Sequence, residues 1–307
     1  MNLANVRLFI EVAEAGSLSK VAARRQTVQS HISRQVTAFE AECGARLFRR
    51  TGRGVALTEF GQQALARLRP WLLQTEQLGE ELRSAGGQVA GRVRLGLIPS
   101  AAHPLATRLF EQLQREHPAV QLDITEAQGT ELDALLDAGA VDLAVLFRYR
   151  RPAGGEERPL CEAHTFLVAA PGDALTQAAT VPFARLDGLP LVLPRQPSQW
   201  RQALDDTARG LGFRLRPLAE ADSLRVQMEL VAARPGVYSI LGPYAIAERV
   251  RAGRLQAARL VRPELVRHVT LALPRHGKLS PPVREVARVI QSLVAGWGHQ
   301  LTEPVAA

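Results

Sequence analysis

Cysteine pairs and long apolar segments are missing from this chain of 307 residues. No run of about 18 apolar residues occurs, and the N-terminal stretch "MNLANVRLFIEVAEAG" carries acids where a signal peptide needs an unbroken apolar core. We therefore expect a cytoplasmic protein without membrane contact. The two cysteines, Cys43 and Cys161, fall in different predicted domains, so neither a disulfide framework nor a thiolate metal site is expected.

Signatures of catalysis are missing as well. No glycine-rich GxGxxG segment follows the first strand of the predicted α/β region, and the sequence contains no P-loop, GxSxG or HExxH motif. The seven histidines lack the spacing of a zinc site. The sequence therefore predicts a protein that is not an enzyme and that holds neither a cofactor nor a metal.

The positive charge of the chain is distributed unevenly. Of the net charge of +8, the first 58 residues carry +5, from nine basic residues and four acids, and the remaining 249 residues carry only +3. A concentrated basic segment attracts phosphate-bearing partners, because their binding releases counterions. This distribution makes nucleic acid the leading candidate partner, although charge alone is weak evidence for it.

The N-terminal segment predicts three short helices. Apolar residues at helical spacing define a first helix that stops at Gly16, and Ser17 is placed to cap a second helix, "LSKVAARRQ". After a break, Thr27 is placed to cap a third helix by accepting a backbone N–H. This order of elements indicates a helix-turn-helix.

The third predicted helix, "VQSHISRQVTAFE", has two different faces. One stripe is apolar and consists of Val28, Ile32, Val36 and Phe39. The opposite stripe carries an amide, short hydroxyls and one arginine, namely Gln29, Ser30, Ser33, Arg34 and Thr37. A solvated surface is the alternative interpretation, but the glutamate and lysine that usually solubilise a helix are missing there. Because Gln and Arg side chains pair with base edges and phosphates, we predict that this stripe enters the major groove.

A basic β-hairpin is predicted directly after this helix. The segment "GARLFRRTGRGVALTEFG" contains two short apolar strands that flank a turn rich in glycine and arginine. Its Arg50 and Arg53 are placed to reach phosphates or the minor groove. The predicted DNA-binding residues are Ser17, Thr27, Gln29, Ser30, His31, Ser33, Arg34, Arg50 and Arg53.

Residues 58–84 predict a long linker helix. Its apolar positions alternate at spacings of four and three, which indicates a coiled-coil seam formed by Ala64, Leu68, Trp71, Thr75, Leu78 and Leu82. A helix packed on its own domain is the alternative, which is less attractive because little else nearby is available to cover it. Pro70 lies inside the pattern and predicts a bend. The following "SAGGQVAG" predicts a hinge.

From Gly91 onward, predicted strands alternate with predicted helices. The strands "RVRLGLI", "VQLDITEA" and "VDLAVLF" are separated by the helices "LATRLFEQLQREHP" and "GTELDALLDAG". Later segments, from "HTFLVAAPGD" to "VYSIL", repeat the alternation. This order predicts an α/β fold of two similar lobes, with a parallel sheet covered by helices on both faces.

Together these segments resemble LysR-type transcriptional regulators. "FIEVAEAGSLSKVAAR" is similar to the first two helices of that family's winged helix-turn-helix, "QSHISRQVTAFE" to its recognition helix and "GARLFRRTGRGVALTEFG" to its wing. Ser30 and His31 stand where the family usually has Pro and Ala, which affects base preference rather than docking mode. "RTGRGVALTEFG" and "AGRLQAARLVRPEL" most resemble the subgroup of nitrogen-assimilation-control and aromatic-catabolism regulators.

The resemblance implies a sequence-specific DNA-binding transcriptional regulator that responds to a small molecule. The effector, expected to bear a carboxylate, would lie between two lobes similar to those of type 2 periplasmic binding proteins. A homotetramer built as a dimer of dimers is also implied, with promoter DNA and RNA polymerase as partners.

The resemblance and the residue pattern together define expected domains. We expect a winged helix-turn-helix over 1–58, a linker helix and hinge over 59–90, and an effector domain over 91–307. The first lobe would comprise about 91–161 and 268–307, and the second about 162–267, with the crossings near Cys161–Thr165 and Val266–Thr270.

Hydroxyl side chains follow the ends of predicted strands at Ser100, Thr130 and Ser198. Ligands of parallel α/β sheets bind at such strand ends, often against helix N-termini, and the resemblance points to the same positions. A helix cap is the alternative interpretation for Thr130, which Asp133 follows three residues later, and for Ser198. The predicted effector-binding residues are Ser100, Ala101, Gly129, Thr130, Phe147, Arg195 and Ser198.

Some alternatives stay open at this point. Phe147 either walls the cleft or fills the core, and Arg148, Arg195 and His103 are candidates for neutralising an acidic ligand. The rival function is a solute-binding module without a gene-regulatory role, but that role requires export and has no use for a basic winged segment. A cysteine redox switch, as in the peroxide-sensing branch of the family, is discounted because Cys43 falls in the DNA-binding module.

Overall fold

The computed structural model of the protein describes residues 2–52, 54–84, 89–149, 155–274 and 279–295. The chain forms two compact units, Met1–Leu82 and Arg83–Ala307. Among the described residues, no helix is both long and apolar enough to cross a lipid bilayer.

Three helices open the first unit, and they are α1 Leu3–Ala15, α2 Leu18–Arg24 and α3 Gln29–Cys43. Gly16 follows α1 in the left-handed conformation, with a φ of 60°, which glycine adopts without steric cost. Ser17 then caps α2, because its side chain accepts a hydrogen bond from the backbone N–H of Lys20. The structure therefore confirms the predicted end of α1 and the predicted cap of α2.

The start of α3 differs from its prediction. Val28 rather than Thr27 occupies the N-cap position, and no side chain caps this helix. Val28 is also 63% exposed, so it does not belong to the buried stripe. The physical reason is that an N-cap residue has non-helical backbone angles and lies outside the helical periodicity. The other three apolar residues of the stripe are buried, namely Ile32, Val36 and Phe39.

The hairpin of the first unit pairs β1, Phe48–Thr51, antiparallel with β2, Gly54–Leu57. Gly54 has a φ of 144°, and a Cβ at this position would lie 2.3 Å from the carbonyl oxygen of Gly16. The neighbouring Val55 donates its backbone N–H to the same oxygen at 3.0 Å. Only glycine fits where the hairpin meets the turn between α1 and α2.

The linker helix α4 spans Glu59–Ser84 and contains Pro70. Half-buried side chains of its first half pack on the core that α1 and α3 form, and these are Ala64, Leu65, Leu68 and Trp71. Leu78 and Leu82 in the second half are 55% and 70% exposed. The first half of the predicted seam therefore covers its own domain, whereas its second half presents leucines to solvent. The predicted hinge residues 85–88 lie outside the described residues.

Strands and helices alternate along the second unit. Its first elements are β3 Gly91–Leu97, α5 Pro99–Glu116, β4 Val120–Glu126, α6 Gly129–Asp137, β5 Leu143–Arg148 and β6 Glu157–Ala163. Next come β7 Phe166–Ala169, β8 Thr180–Pro182, β9 Leu191–Leu193, α7 Gln199–Gly210, β10 Pro217–Glu220, α8 Leu224–Ala233, β11 Tyr238–Leu241 and α9 Pro243–Arg251. The last elements are β12 Gln256–Val261, β13 Arg267–Ala272 and α10 Pro281–Ala295.

These elements form two lobes, each built on one sheet. The first lobe has the strand order β4-β3-β5-β13-β6, and the second has β10-β9-β11-β7-β12-β8. The chain leaves the first lobe between β6 and β7 and returns to it between β12 and β13. Strands β4, β3 and β5 are parallel, as predicted, but β13 is antiparallel to β5 and β6, and β7 is antiparallel to β11 and β12. The sheets are mixed because the strand that follows each crossing, β7 or β13, enters its sheet from the opposite end.

The helix starts in the first lobe set the positions of the predicted hydroxyls. α5 begins at Pro99, whose fixed φ suits the first helical position, so Ser100 lies in the first turn. α6 has Gln128 at its N-cap and no side-chain cap bond, so Thr130 is not the cap of this helix. In the second lobe, the side chain of Ser198 does cap α7, by accepting the backbone N–H of Arg201.

Candidate functional site

The polar face of α3 is open to solvent in the first unit. Of its predicted contact residues, Ser33 is half-buried and the others are exposed, namely Gln29, Ser30, His31 and Arg34. The predicted residues outside α3 differ in their environment. Thr27 is half-buried, Ser17 is half-buried and engaged as a helix cap, and Arg50 is exposed on β1. Arg53 lies outside the described residues.

Several basic residues of this unit have no acidic partner among the described residues. They are exposed and lie on α2, α3 and β1, namely Lys20, Arg24, Arg34, Arg49 and Arg50. By contrast, Arg25 pairs with Glu11 at 2.7 Å and Arg46 pairs with Glu40 at 2.9 Å. Unpaired, solvated cations of this kind favour a polyanionic partner, because each phosphate contact releases counterions.

Glu40 fixes the hairpin to α3. Its side chain is 6% exposed, and its Oε1 accepts the backbone N–H groups of Leu47 and Phe48 at 2.8 and 3.0 Å. Its Oε2 accepts a hydrogen bond from Arg46. A buried carboxylate with three donors is well compensated, so it sets where β1 starts relative to α3. No local sequence pattern indicates this role, since Glu40 lies on the edge of the apolar stripe.

A cavity of about 120 Å³ lies between the two lobes of the second unit. Five of the seven predicted effector residues line it, namely Ser100, Gly129, Thr130, Phe147 and Ser198. The structure therefore brings together side chains from the first lobe and from α7 of the second. Phe147 combines both proposed roles, because it lines the cavity and is 7% exposed within the core of the first lobe.

Five helices begin at this cavity. Its lining includes the first residues of α5, α6, α7 and α8 and the N-cap residue of α9, namely Pro99, Gly129, Gln199, Leu224 and Gly242. The first backbone N–H groups of a helix have no acceptor within it, and the helix dipole is positive at this end. Converging helix starts therefore favour an anionic group in the cavity.

The other predicted contacts lie away from the cavity. Ala101, in the first turn of α5, is fully buried and does not line the cavity, because its side chain faces the core of the first lobe. Arg195 is exposed and also does not line it; its backbone N–H donates to Asp222. Arg148 is held by two carboxylates, with 2.7 Å to Asp133 and 2.5 Å to Glu157, so it is not free to neutralise a ligand. The side chain of His103 lies outside the described residues.

Arg267 is the main cavity residue that the sequence analysis missed. It opens β13, lines the cavity and is 4% exposed. Its Nε and Nη2 are buried and have no hydrogen-bond partner among the described residues. The guanidinium carbon lies 4.5 Å from the ring centre of Phe147 and 4.6 Å from that of Trp200. The only sequence signal was a basic residue two positions before the apolar segment "VTLALP", within the stretch assigned to a crossing.

Burial around Arg267 shifts the proton affinities of neighbouring groups. It lowers the pKa of Arg267 to about 10, and the only opposing influences come from Tyr149 and Tyr244 rather than from a carboxylate. Burial also raises the pKa of Tyr149 to about 12 and raises the pKa of Tyr244. At neutral pH, Arg267 is therefore a buried cation among neutral phenols.

Trp200 contacts residues of both lobes beside Arg267. Its ring stacks on Tyr149, which follows β5 of the first lobe, at a centroid distance of 5.9 Å and an interplanar angle of 11°. Its indole N–H donates to the carbonyl oxygen of Ile240 in the second lobe at 3.3 Å. Trp200 is thus fixed within the second lobe while its ring contacts Tyr149 and Arg267 of the first.

Other reactive groups of the described residues form no obvious centre. No group of three or more His, Cys, Asp or Glu side chains there is arranged to hold a metal ion. Burial raises the pKa of the Cys43 thiol, as do Glu42 and Glu40 beside it. Burial also raises the pKa of the Cys161 thiol, whose sulfur lies 2.9 Å from the hydroxyl of Tyr244.

A winged helix-turn-helix joined to a two-lobed domain with a ligand-sized cavity defines the class of DNA-binding regulators that carry a ligand-binding domain. Two domain-family models match successive parts of the chain. "Bacterial regulatory helix-turn-helix protein, lysR family" matches residues 3–62, and "LysR substrate binding domain" matches residues 86–295.

Individual relatives agree with these family matches over nearly the full length. The nitrogen assimilation regulatory protein nac of Klebsiella aerogenes is 29% identical over 298 residues, and 96% of each chain is covered. The HTH-type transcriptional regulator BbuR of Bordetella bronchiseptica is 30% identical over 295 residues, covering 96% of this chain and 90% of BbuR. A solved full-length OxyR variant from Pseudomonas aeruginosa has the same fold, with a TM-score of 0.70 at 21% identity and coverage of 96% and 98%.

The chain belongs to the LysR family of bacterial regulatory helix-turn-helix proteins. It is a DNA-binding transcriptional regulator with an effector-binding domain. The family resemblance drawn from the sequence is thereby confirmed, and so is the predicted order of a winged helix-turn-helix followed by an α/β effector domain.

Proposed function

We propose that a small molecule binds in the cavity between the two lobes and thereby controls transcription. The observation that carries this proposal is the convergence of Ser100, Thr130 and Ser198 on one cavity at which five helices begin. Ser100 and Thr130 belong to the first lobe, and Ser198 belongs to the second. A ligand that contacts all three favours one arrangement of the lobes over another.

The change in DNA binding that the ligand can cause is limited by how much more tightly it binds one arrangement of the lobes than the other. A ligand shifts an equilibrium between two arrangements only by as much as its affinities for them differ. For regulatory proteins this coupling is typically about 1–3 kcal/mol, or roughly 5- to 150-fold in affinity. We expect DNA affinity or operator spacing to change within that range when the effector binds.

Double substitution of Ser100→Ala and Thr130→Ala tests the cavity. A thermal-shift screen of small metabolites on the parent identifies stabilising compounds, and these compounds should lose their effect on the double variant. Basal DNA binding should be nearly unchanged. The matched control is Thr180→Ala with Ser292→Ala, which removes two exposed hydroxyls that do not line the cavity. Compounds that stabilise the double variant as strongly as the parent would place the effector elsewhere.

We also propose that the exposed face of α3 reads the major groove, through Gln29, Ser33 and Arg34, while Arg50 contacts phosphate. The exposure of this face and the lack of acidic partners for Arg34 and Arg50 among the described residues support the assignment. A solvated face without such a role would more often carry paired charges.

The second half of α4 supports a homo-oligomer, which we propose is built on this helix. Leu78 and Leu82 are exposed four residues apart, the spacing of a helical seam. Such an oligomer would read an interrupted inverted repeat, with half-sites about one helical turn or a multiple of it apart. Light scattering at micromolar concentration should show an oligomer for the parent and a smaller species for Leu78→Glu with Leu82→Glu; a stable monomeric parent would refute the proposal.

A further inference from the structure

We propose that Arg267 selects the charge of the effector, and that the effector carries a carboxylate or a comparable planar oxyanion that binds the Nε and Nη2 edge of its guanidinium. This inference rests on the proposed function, because it names the chemical class of ligand for the same cavity. The residues that argue for it are Arg267 itself, the rings around it and a second buried arginine that serves as a comparison.

Arg267 has buried hydrogen-bond donors that are not satisfied within the described part of the chain. Its Nε and Nη2 have no partner among the described residues, although the side chain is only 4% exposed. In a guanidinium these two nitrogens share one edge and present parallel N–H groups, the geometry that binds both oxygens of a carboxylate. Asp222, the acidic residue of the cavity lining, accepts the backbone N–H of Arg195 and does not contact Arg267.

A second buried arginine in the same domain shows what a structural arginine looks like. Arg201 is 6% exposed and donates to Asp205 at 3.1 Å, to Glu220 at 2.7 Å and to the carbonyl oxygen of Pro194 at 3.2 Å. Its charge is thus compensated within the protein. Arg267 is equally buried, but among the described residues it has no carboxylate partner and lies over the faces of Phe147 and Trp200. Cation–π contacts return less than the burial of an unpaired charge costs.

The surroundings of Arg267 also restrict how a ligand reaches it. A Cβ on Gly242 would lie 2.0 Å from Nη2, so only glycine admits the guanidinium at this position. Both unpartnered nitrogens are closed to solvent in the described arrangement. Trp200, which covers the guanidinium, comes from the second lobe. An anion therefore reaches Arg267 when contacts across the cleft loosen, which ties its binding to the arrangement of the lobes.

The first experiment needs no ligand and compares Arg267→Met with Arg201→Met in the full chain. If Arg267 is an uncompensated cation, Arg267→Met should melt at or above the temperature of the parent, whereas Arg201→Met should melt at least about 5 °C lower. Loss of stability in Arg267→Met equal to that in Arg201→Met would show a structural role and overturn the inference.

The second experiment uses formate and benzoate as probes, each with its neutral amide as a control. Both carboxylates are small enough for a cavity of about 120 Å³, and added at tens of millimolar they reveal weak sites through thermal stabilisation. The parent should be stabilised more by at least one acid than by its amide, and Arg267→Met should lose this difference. Arg267→Lys, which keeps the charge but not the parallel N–H edge, should lose most of it. An equal effect of acids and amides on the parent would overturn the inference.

The metabolite screen separates this inference from the proposed function. Compounds whose effect depends on Ser100 and Thr130 identify the cavity ligand. If those compounds are anions that bind at least about 10-fold more weakly to Arg267→Met, both proposals stand. If they are neutral or cationic, or bind Arg267→Met unchanged, the role of Arg267 is wrong while the cavity proposal stands. If no compound depends on Ser100 and Thr130, the cavity proposal itself fails.

Discussion

Within the part of the chain that the structure describes, the winged unit and the effector domain both hold arginines without acidic partners, but in opposite environments. Arg34 and Arg50 are exposed to water, whereas Arg267 is 4% exposed between aromatic rings. An exposed cation stays hydrated and attracts any polyanion, with a strength that depends on salt. A buried cation without a counter-charge destabilises its surroundings until one specific anion reaches it.

This difference shows how one side-chain type serves two kinds of recognition. In the role that we propose for the winged unit, charge provides affinity for the DNA backbone, while neighbouring polar groups of α3 supply base preference. In the role that we propose for the cleft, charge itself is the selecting property, and the site would distinguish an acid from its neutral analogue. Glu40 differs from both kinds of arginine. Its buried carboxylate accepts three hydrogen bonds and therefore contributes to stability.

The largest effect is expected for Glu40→Ala, which removes that compensated charge. The N–H groups of Leu47 and Phe48 lose their acceptor, and each such loss costs about 1–3 kcal/mol at a buried site. We expect the free energy of unfolding of the winged unit to fall by about 3 kcal/mol, measured by urea denaturation with circular dichroism. The control is Glu11→Ala, which removes an exposed ion pair with Arg25 and should cost at most about 1 kcal/mol. Equal losses in the two variants would contradict the role assigned to Glu40.

A smaller effect is expected for Arg34→Ala, on DNA binding rather than on stability. Loss of one base or phosphate contact should weaken operator affinity by about 1–3 kcal/mol, roughly 5- to 150-fold, in fluorescence anisotropy at fixed salt. Arg209→Ala, an exposed arginine of α7 paired with Asp206, is the control and should change the affinity less than 2-fold. If Arg34→Ala binds a cognate operator as tightly as the parent, α3 does not present this residue to DNA.

Tyr149 and Tyr244 report on the dry environment of Arg267, whereas Tyr238 lies beside Asp173 in the second lobe. The chain has three tyrosines, and burial raises the pKa of Tyr149 and Tyr238 to about 12 and raises the pKa of Tyr244 as well, from an ordinary value of 10. The folded values lie above the unfolded one, so this contribution to stability is full below pH 10 and is lost as the pH rises toward 12. Absorbance near 295 nm should show no phenolate in the native protein at pH 10.5, and full ionisation after unfolding at higher pH. Native ionisation centred near pH 10 would mean that the cavity is hydrated.

The smallest effect is expected for oxidation. Because burial raises the pKa values of Cys43 and Cys161, little thiolate is present at neutral pH, and thiolate is the nucleophile that attacks peroxide. Hydrogen peroxide should therefore change operator affinity less than 2-fold, and Cys43→Ser with Cys161→Ser should behave like the parent. A several-fold change in operator affinity that Cys161→Ser abolishes would contradict this prediction and establish a redox switch in the effector domain.

The local patterns of the sequence were sufficient for the DNA-binding unit. Short-range signals decide its elements: the glycine that ends α1, the hydroxyl of Ser17 that caps α2, and the spacing of apolar residues on α3. The errors there were local too. Val28 was included in the stripe because periodicity does not show where a helix begins, and the first half of α4 was assigned to a seam although it covers its own core.

The effector domain was harder to predict because its strands pair over long separations. β6 and β12 were not assigned, and the antiparallel placement of β13 was missed. The residues of a strand that returns from the other lobe do not show which distant strands pair with it. Helix starts at strand ends were recognised, and they correctly brought Ser100, Thr130 and Ser198 to one cavity. Arg195 was misplaced because a basic residue near a strand end in sequence need not face the cleft.

By itself, the sequence determined the family, the helices of the winged unit, the basic character of that unit and the three hydroxyl positions of the cleft. Each of these depends on residues that are close together in the chain or on a pattern that repeats along it. Only the tertiary structure decided that Arg267 is a buried, unpartnered cation, because that state depends on Phe147, Trp200 and Gly242, which three separate segments bring to it. Burial and hydrogen-bond satisfaction are properties of the packed surroundings, and a residue's own sequence neighbourhood does not contain them.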